Sequence, residues 1–158
     1  MRQHILAISI VLWGLSPAST LANFTETQMM QKAQDFILHV LLKPDSKKFR
    51  ALFDDSAQIH LHINHKLQLH RGIDDYMMKL NAAHFLNTKR VELLTLSYSH
   101  PAKNVIRIED VSLQWRNGAG QEEIGLGLYY FDNTSDLTFN DQLQITDVKM
   151  TYTKIKVG

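Results

Sequence analysis

Three histidines in a short segment are the first residues whose type and spacing suggest chemistry. His60 and His62 are two positions apart, so on a β-strand their side chains share one face, and His70 follows on the next alternating segment. Imidazole nitrogens are common ligands of zinc and copper, and neighbours on adjacent strands are about 5 Å apart. The three side chains are therefore candidate metal ligands, and the alternative is a polar face in contact with solvent.

The turn between these two segments decides which side chains face each other. A three-residue turn at 64–66 places Ile63 opposite Leu67 and His60 opposite His70. A two-residue turn would mix polar and apolar side chains on each face. We therefore predict the three-residue turn, with one apolar and one polar face on the hairpin.

Asp110 is the acidic residue that we retain as a catalytic candidate, with His60 and His62 as candidate bases. It lies in a long predicted strand, residues 105–115, in which the alternation of apolar side chains shifts by one position. A shift of this kind predicts a β-bulge near residues 109–110, and bulges are common beside active sites.

The strand predicted over residues 124–131 alternates glycines with large apolar side chains. A glycine within a strand marks a bend or a place where a ligand approaches the backbone. Gly127 and its near neighbour Tyr129 are therefore candidate ligand-binding residues. Trp115, in the same predicted strand as Asp110, is the third candidate. Apolar side chains on both faces of this strand indicate burial on both sides, and we expect a homodimer formed through the sheet.

The composition argues against several classes of protein. Seventeen basic and sixteen acidic residues give a net charge of +1, so no strong positive field attracts nucleic acid. The absence of cysteine excludes disulfides and thiolate chemistry. No cofactor is predicted.

The elements that must position these residues begin with helices and continue as strands. A capping box formed by Thr25 and Gln28 predicts the start of a first helix, and a second helix spans about 46–53. A third helix follows the hairpin, from Ile73 to about Leu86. The predicted fold class is α+β, with three N-terminal helices and a short β-hairpin packed in the concavity of a curved, bulged, mostly antiparallel sheet.

Two short segments carry a resemblance to a known family: LFDDSA at 52–57, before the first strand, and HRGIDDY at 70–76, entering the third helix. With the order of elements, they resemble the nuclear transport factor 2-like superfamily, which includes ketosteroid isomerase and SnoaL-type polyketide cyclases. The resemblance covers about 25–152 and implies a single domain at 23–158. It also implies a cone that encloses a cavity and often dimerises through its sheet.

Ketosteroid isomerases in this superfamily use a tyrosine, a carboxylate base and a protonated aspartic acid. The resemblance places these roles near Phe36, at 60–62, and near Leu126 or Gly127, where this sequence has none of those side chains. We therefore expect an exported module that binds a small apolar ligand or joins an envelope assembly, without catalytic residues. The alternatives are a SnoaL-like isomerase, cyclase or hydrolase with a histidine base, and a metal-binding protein.

The N-terminus has the pattern of a cleaved signal peptide over residues 1–22. Arg2 precedes an apolar run over 5–15, which is shorter than the roughly 20 residues that span a bilayer. Thr20 and Ala22 satisfy the small-residue rule of signal peptidases. The pattern predicts export to the periplasm or the medium and no stable membrane insertion after cleavage.

We expect the mature chain to begin at Asn23, because Ala22 occupies the last position before the predicted cut. N-terminal sequencing of protein recovered from the periplasm or the medium measures this directly. A recovered chain that retains residues 5–15 and sediments with membranes would contradict the prediction.

Overall fold

A computed structural model of the chain describes residues 25–117 and 126–158, and the predicted signal peptide lies outside them. Its cleavage therefore stays a prediction. The described helices and strands are α1 (Glu26–Ile37), α2 (Ser46–Arg50), β1 (Phe53–Ile63), β2 (Leu67–Gly72), α3 (Ile73–Leu80), β3 (Thr88–Ala102), β4 (Val105–Asn117), β5 (Leu126–Phe139) and β6 (Ile145–Lys156). Helices α1 and α3 each continue into a π-helical turn, at Leu38–Leu42 and Asn81–Phe85.

The capping box predicted for α1 is confirmed. Thr25 Oγ1 accepts a hydrogen bond from the Gln28 amide at 3.3 Å, and Gln28 Oε1 accepts one from the Thr25 amide at 3.0 Å. The second helix ends at Arg50, earlier than predicted. The reason is that Phe53 begins β1 and packs on Phe49, with ring centroids 5.2 Å apart, so it belongs to the sheet side of the core.

The six strands form one mixed sheet in the order β2-β1-β6-β5-β4-β3. β1 and β6 run parallel, and the other neighbouring pairs are antiparallel. The predicted α+β class, with helices in the concavity of a curved sheet, is confirmed. Within residues 25–117 and 126–158, no helix has the length and apolar character needed to cross a membrane.

The predicted hairpin register is also confirmed. Ile63 pairs with Leu67 and His60 pairs with His70, as a three-residue turn requires. Asn64 and His65 adopt positive φ angles of 49° and 56°, the left-handed conformation that closes such a turn and in which Asn and His are enriched. The apolar face of β1 therefore meets the core, and the histidine face lies on the other side of the sheet.

The predicted β-bulge near residues 109–110 is wrong. β4 pairs with β5 over its whole length without a register shift, so Ile108 and Asp110 lie on the same face. The one-residue irregularity in the middle of the β3–β4 pairing lies on β3, between Leu93 and Thr95. The apolar alternation of β4 shifts for a different reason: its inner face changes from apolar core to a polar cavity wall.

Two features of β5 and β6 complete the sheet. β5 continues to Phe139, beyond residue 131 at which the predicted strand ends, because it pairs with β4 on one side and β6 on the other. β6 begins with an irregularity, since Ile145 and Asp147 pair with the consecutive residues Phe139 and Thr138. The homodimer predicted through the sheet stays a prediction.

The two faces of the hairpin predict unequal effects of truncation. Leu61 is 7% exposed and belongs to the core, so Leu61→Ala is expected to lower the free energy of unfolding by about 2–5 kcal/mol. His62→Ala, at the next residue and on the opposite face, is expected to change it by less than about 0.5 kcal/mol. Urea denaturation measures both values, and equal losses would contradict this assignment of the faces.

Candidate active site

A cavity of about 340 Å³ lies between the concave face of the sheet and the helices α1 and α3. Its volume is in the range of small-molecule sites. Most of the cavity wall is apolar, and the apolar side chains that line it include Phe36, Leu61, Leu80, Phe131 and Met150. A smaller number of polar side chains converge on the same space, mainly from β4, β5 and β6.

The inner face of β4 supplies the central part of the polar wall. Ile106 and Ile108 are fully buried in the core, and the same face continues with Asp110, Ser112 and Gln114, which are also buried. Successive side chains of an unbroken strand alternate between its faces. The change from isoleucine to polar residues therefore marks the point where the core ends and the cavity begins.

Asp110 is the acidic group of this wall and is 3% exposed. Its Oδ2 accepts a 3.0 Å hydrogen bond from Nδ2 of Asn133, the residue directly opposite on β5. Burial raises the pKa of the Asp110 carboxyl to about 6; the charge of Asp132 adds to this effect, and the bond from Asn133 opposes it. A carboxyl group with this pKa can both take up and release a proton near neutral pH.

Two tyrosines, Tyr76 on α3 and Tyr152 on β6, line the same cavity. Tyr152 lies opposite Asn133, in the transverse row of the sheet that also contains Asp110. Burial raises the pKa of both phenols, so both hydroxyls stay protonated at neutral pH. Neither hydroxyl is hydrogen-bonded to another residue in the described part of the chain, which leaves both available to a bound molecule.

Gln114 extends the polar wall beyond Asp110. Its Nε2 donates a 3.1 Å hydrogen bond to Ser112 Oγ, whereas its Oε1 is buried and has no hydrogen-bond partner among the described residues. A buried polar atom without a partner costs about 1–3 kcal/mol. A bound molecule that donates to this oxygen would recover that energy.

His84 also lines the cavity and is 3% exposed. Its Nε2 lies 2.5 Å from the carbonyl oxygen of Val40. A carbonyl only accepts, so the proton is on Nε2, and Nδ1 accepts from Arg116 Nη2 at 2.9 Å. Burial lowers the pKa of His84 to about 4, with the Arg116 charge adding and the Val40 bond opposing. His84 is therefore neutral, with both nitrogens engaged.

Arg116 ends the inner face of β4 next to His84. Its Nε donates a 3.0 Å hydrogen bond to Oγ1 of Thr88, the residue paired with it on β3. Its guanidinium carbon lies 4.9 Å from the centre of the Phe131 ring. Burial lowers the pKa of Arg116 from a very high ordinary value, so the group stays charged at physiological pH.

The hairpin histidines lie away from this cavity. None of His60, His62 and His70 lines it, because strand alternation directs them to the face opposite Leu61. The rings of His60 and His70 are stacked, with centroids 4.5 Å apart, and His60 Nε2 lies 2.8 Å from Asp147 Oδ1. Within 25–117 and 126–158, no three His, Asp or Glu side chains are arranged to hold a metal ion. The predicted catalytic pair of a histidine base, His60 or His62, with Asp110 is therefore wrong, because only Asp110 lines the cavity.

The three predicted ligand-binding residues are not on the cavity wall. Trp115 lies on the outer face of β4, with the guanidinium carbon of Arg90 4.6 Å from its ring centre. A Cβ atom at Gly127 would approach the Tyr129 ring to 2.9 Å, so the glycine makes room for that ring and not for a ligand. Tyr129 is 2% exposed and lies 4.3 Å from Nζ of Lys154.

Of these cavity residues, the sequence alone indicated Asp110 but not Gln114, Arg116, His84 and Tyr152. A signal for two of them was present in β4. Its even-numbered residues from 110 to 116 are all polar, whereas its odd-numbered residues from 111 to 115 are all apolar. An unbroken strand with one polar and one apolar face explains this pattern without a bulge.

The chain has the cone-like α+β fold that the sequence resemblance implied, and it shares this fold with solved cyclase-like and ketosteroid isomerase-like proteins. No protein-family model matches the sequence, and no curated protein matches it. The comparison therefore rests on solved structures.

Similar solved structures include three proteins with a related fold. A ketosteroid isomerase-like protein from Erwinia carotovora atroseptica SCRI1043 is 11% identical, with a TM-score of 0.54 over 84% of this chain and 98% of that chain. The epoxide hydrolase/cyclase-like enzyme SalBIII is 11% identical, with a TM-score of 0.57 over 80% and 92%. A hexachlorocyclohexane dehydrochlorinase, LinA type 2, is 11% identical, with a TM-score of 0.54 over 84% and 88%. At this identity the likeness shows the fold alone.

The expectation of a module without catalytic residues is wrong. The similar structures carry the names of a cyclase-like enzyme, an isomerase-like protein and a dehydrochlorinase. The cavity also contains the buried carboxyl of Asp110, which that expectation did not place there. The expectation failed because it considered only the ketosteroid isomerase positions, near Phe36, 60–62 and Gly127, whereas here the polar groups come from other positions on the sheet.

Burial of Asp110 predicts a pH-dependent cost to stability. Its carboxyl ionises near pH 3.8 when unfolded but near pH 6 when folded, so the folded state loses stability as the pH rises through this interval. Asp110→Asn removes the buried charge and is expected to unfold at higher urea than the parent at pH 7.5. The gain is about 3 kcal/mol at most, the equivalent of two pKa units.

The same difference is expected to shrink below pH 6 and to vanish near pH 4. The lowered pKa of His84 destabilises the folded state as the pH falls from 6.5 towards 4, but this contribution is present in both proteins and cancels. Asp141→Asn, at an exposed turn, is the control and is expected to change stability by less than about 0.5 kcal/mol. A difference that does not depend on pH would contradict the buried-carboxyl assignment.

Proposed function

We propose that the protein is an enzyme of the isomerase or cyclase type that moves a proton within a small, largely apolar substrate. The observation that carries the proposal is the carboxyl of Asp110, which is 3% exposed, faces the cavity and has a pKa raised to about 6. Titratable groups whose pKa values are shifted towards neutrality by burial are concentrated at catalytic sites. The isomerase-like and cyclase-like names of similar structures support the same class of reaction.

Asp110 acts as the general base of this reaction. Its Oδ2 is held by Asn133, so Oδ1 is the oxygen that accepts a proton from a carbon next to a carbonyl group of the substrate. The electron pair of the broken C–H bond moves to the carbonyl oxygen and forms an enolate. Asp110 then returns the proton to a second carbon. Alternatively, the enolate carbon attacks the carbon of a second carbonyl group of the same molecule and closes a ring; the π electrons of that carbonyl move to its oxygen, which takes the proton from Asp110.

Tyr152 and Tyr76 are the groups placed to stabilise the enolate oxygen. Both line the cavity, and their raised pKa values keep their hydroxyls protonated as hydrogen-bond donors. Tyr152 is two strands from Asp110 in the same transverse row, which corresponds to about 10 Å between their backbones. A substrate lying across β5 would meet the base at one side and this donor at the other.

A histidine base is not part of this proposal. His84 lines the cavity, but Val40 and Arg116 occupy its two nitrogens, and its lowered pKa makes it a weak base. His60 and His62 project from the other face of the sheet. The base is therefore Asp110, and His84 serves to position Arg116.

The proposal predicts that catalysis depends on Asp110 and on its ionised form. A panel of cyclic β,γ-unsaturated ketones, both neutral and carboxylate-bearing, can be followed by ultraviolet absorbance as conjugation forms. For a compound that is turned over, Asp110→Asn is expected to lower kcat/KM at least about 100-fold, the usual contribution of a general base. For the parent, kcat/KM is expected to rise with pH through about 6, where Asp110 loses its proton.

Glu109→Gln is the matched control, because Glu109 is the preceding residue on β4 and is exposed on the opposite face. It is expected to leave kcat/KM within about twofold of the parent. Turnover that survives in Asp110→Asn, or falls equally in Glu109→Gln, would contradict the role of Asp110. Absence of turnover across the panel would count against the reaction class.

A further inference from the structure

Arg116 lines the cavity, and only part of its hydrogen-bonding capacity is used by residues 25–117 and 126–158. Its guanidinium group has five N–H groups, and two of them bond to Thr88 Oγ1 and His84 Nδ1. The three remaining N–H groups have no acceptor in the described part of the chain. Contact with the Phe131 ring and the two fixed bonds hold the guanidinium plane in place, so its free donors have a defined direction.

The positive charge of Arg116 is not balanced by a carboxylate within residues 25–117 and 126–158. The cavity carboxyl, Asp110, is six residues away on the same strand, which corresponds to roughly 20 Å along an extended backbone. His84, its direct partner, is neutral. Arg116 is half-buried, and a charge that is partly removed from water without a counter-ion carries a desolvation cost.

The other charges of the cavity wall do not supply the missing negative charge. Arg71, Lys79, Arg116 and Lys154 line the cavity, against the single carboxyl of Asp110. Arg71 pairs with Asp75, and Lys154 lies 4.3 Å from the centre of the Tyr129 ring. The excess of basic over acidic side chains on this wall is consistent with a negatively charged guest near Arg116.

The side-chain carbonyl of Gln114, near Arg116, has no hydrogen-bond partner among the described residues. Gln114 precedes Arg116 on the inner face of β4, is 3% exposed and has a buried Oε1 without a hydrogen bond in the described residues. Both side chains line the cavity, but this oxygen needs a donor, so a guest that satisfies it must carry an N–H or O–H group in addition to any group that binds Arg116. The polar wall is thus incomplete at this end in the absence of a guest.

We propose that Arg116 is the anchor for a carboxylate group of the substrate, with His84 and Thr88 as the residues that position its guanidinium. A carboxylate is the anion whose two oxygens match the paired N–H groups of a guanidinium edge. The substrate is then a small apolar molecule with an acid group at the Arg116 end and its reacting carbon at the Asp110 end. The binding of a carboxylate by Arg116 does not depend on the proposed reaction. Only the statement that the bound molecule is a substrate rests on the proposed function.

Binding of a matched pair of compounds tests the inference without any turnover. 2-Naphthoate and 2-naphthamide have the same apolar body and differ in charge, and isothermal titration calorimetry measures the affinity of each. The parent is expected to bind the carboxylate at least about tenfold more tightly than the amide, because a fixed guanidinium pairs with an anion more strongly than with a neutral amide. Arg116→Gln is expected to remove this preference, and Arg116→Lys to reduce it.

Two control variants separate this inference from the proposed reaction and from general effects of charge. Arg90→Gln removes an arginine that also lies over an aromatic ring, but on the outer face of the sheet, and is expected to keep the full preference. Asp110→Asn is expected to keep the preference while it loses turnover. Loss of turnover with the preference intact supports the anchor independently of the chemistry.

The positioning role of His84 and Thr88 has its own readout. Thr88→Val removes the acceptor of Arg116 Nε and is expected to weaken binding of 2-naphthoate about threefold to tenfold, with little change for 2-naphthamide. Equal affinity of the parent for the two compounds, no binding of either up to millimolar concentration, or a preference that persists in Arg116→Gln would each overturn the proposal. Arg116→Lys keeps the charge and so remains informative if Arg116→Gln does not fold.

Discussion

Burial of polar and charged side chains on the inner face of β4 is the constraint on which the rest of the site depends. A carboxyl in an apolar cavity is costly unless it is hydrogen-bonded or protonated. Both apply to Asp110. Asn133, directly opposite on β5, donates a hydrogen bond to it, and its pKa is raised to about 6, so that it takes up a proton more readily than an exposed carboxyl. The antiparallel pairing of β4 with β5 therefore also places Asn133 where it can stabilise the buried carboxyl of Asp110.

The two ends of the inner face of β4 accommodate a charge in different ways. Asp110 can become neutral by taking a proton, so its end of the cavity is suited to proton transfer. Arg116 cannot lose its proton under ordinary conditions, so its charge is held by the fixed acceptors Thr88 Oγ1 and His84 Nδ1 and by the ring of Phe131. A group that exchanges protons and a group that stays charged thus lie at opposite ends of the polar wall.

Stability and chemistry compete at this site. The ionised carboxyl of Asp110 and the open hydrogen-bonding capacity of Gln114 and Arg116 reduce the stability of the folded chain when the cavity holds no guest. The surrounding core, which includes Phe36, Phe49 and Ile108, offsets that cost with fully or nearly fully buried apolar side chains. Active sites commonly show this balance, since groups that are satisfied within the protein are not available to a substrate.

The sequence by itself determined what depends on neighbours along the chain. The capping box of Thr25, the three-residue turn after Ile63 and the two faces of the hairpin follow from local alternation and turn length. The α+β class and the cone-like arrangement followed from the order of the elements and from a family resemblance. Asp110 was also singled out, although for a bulge that β4 does not have.

Only the tertiary structure decided which residues meet in the cavity. Asp110 reaches Asn133 because β5 pairs with β4, Tyr152 joins the same row because β6 pairs with β5, and His84 reaches Arg116 because the end of the third helix packs against β4. These contacts join residues 19 to 32 positions apart, and strand order rather than local pattern sets them. Alternation along β4 shows that one face is polar, but only the helices over the concave face show that this polar face is enclosed and the histidine face of the hairpin is not.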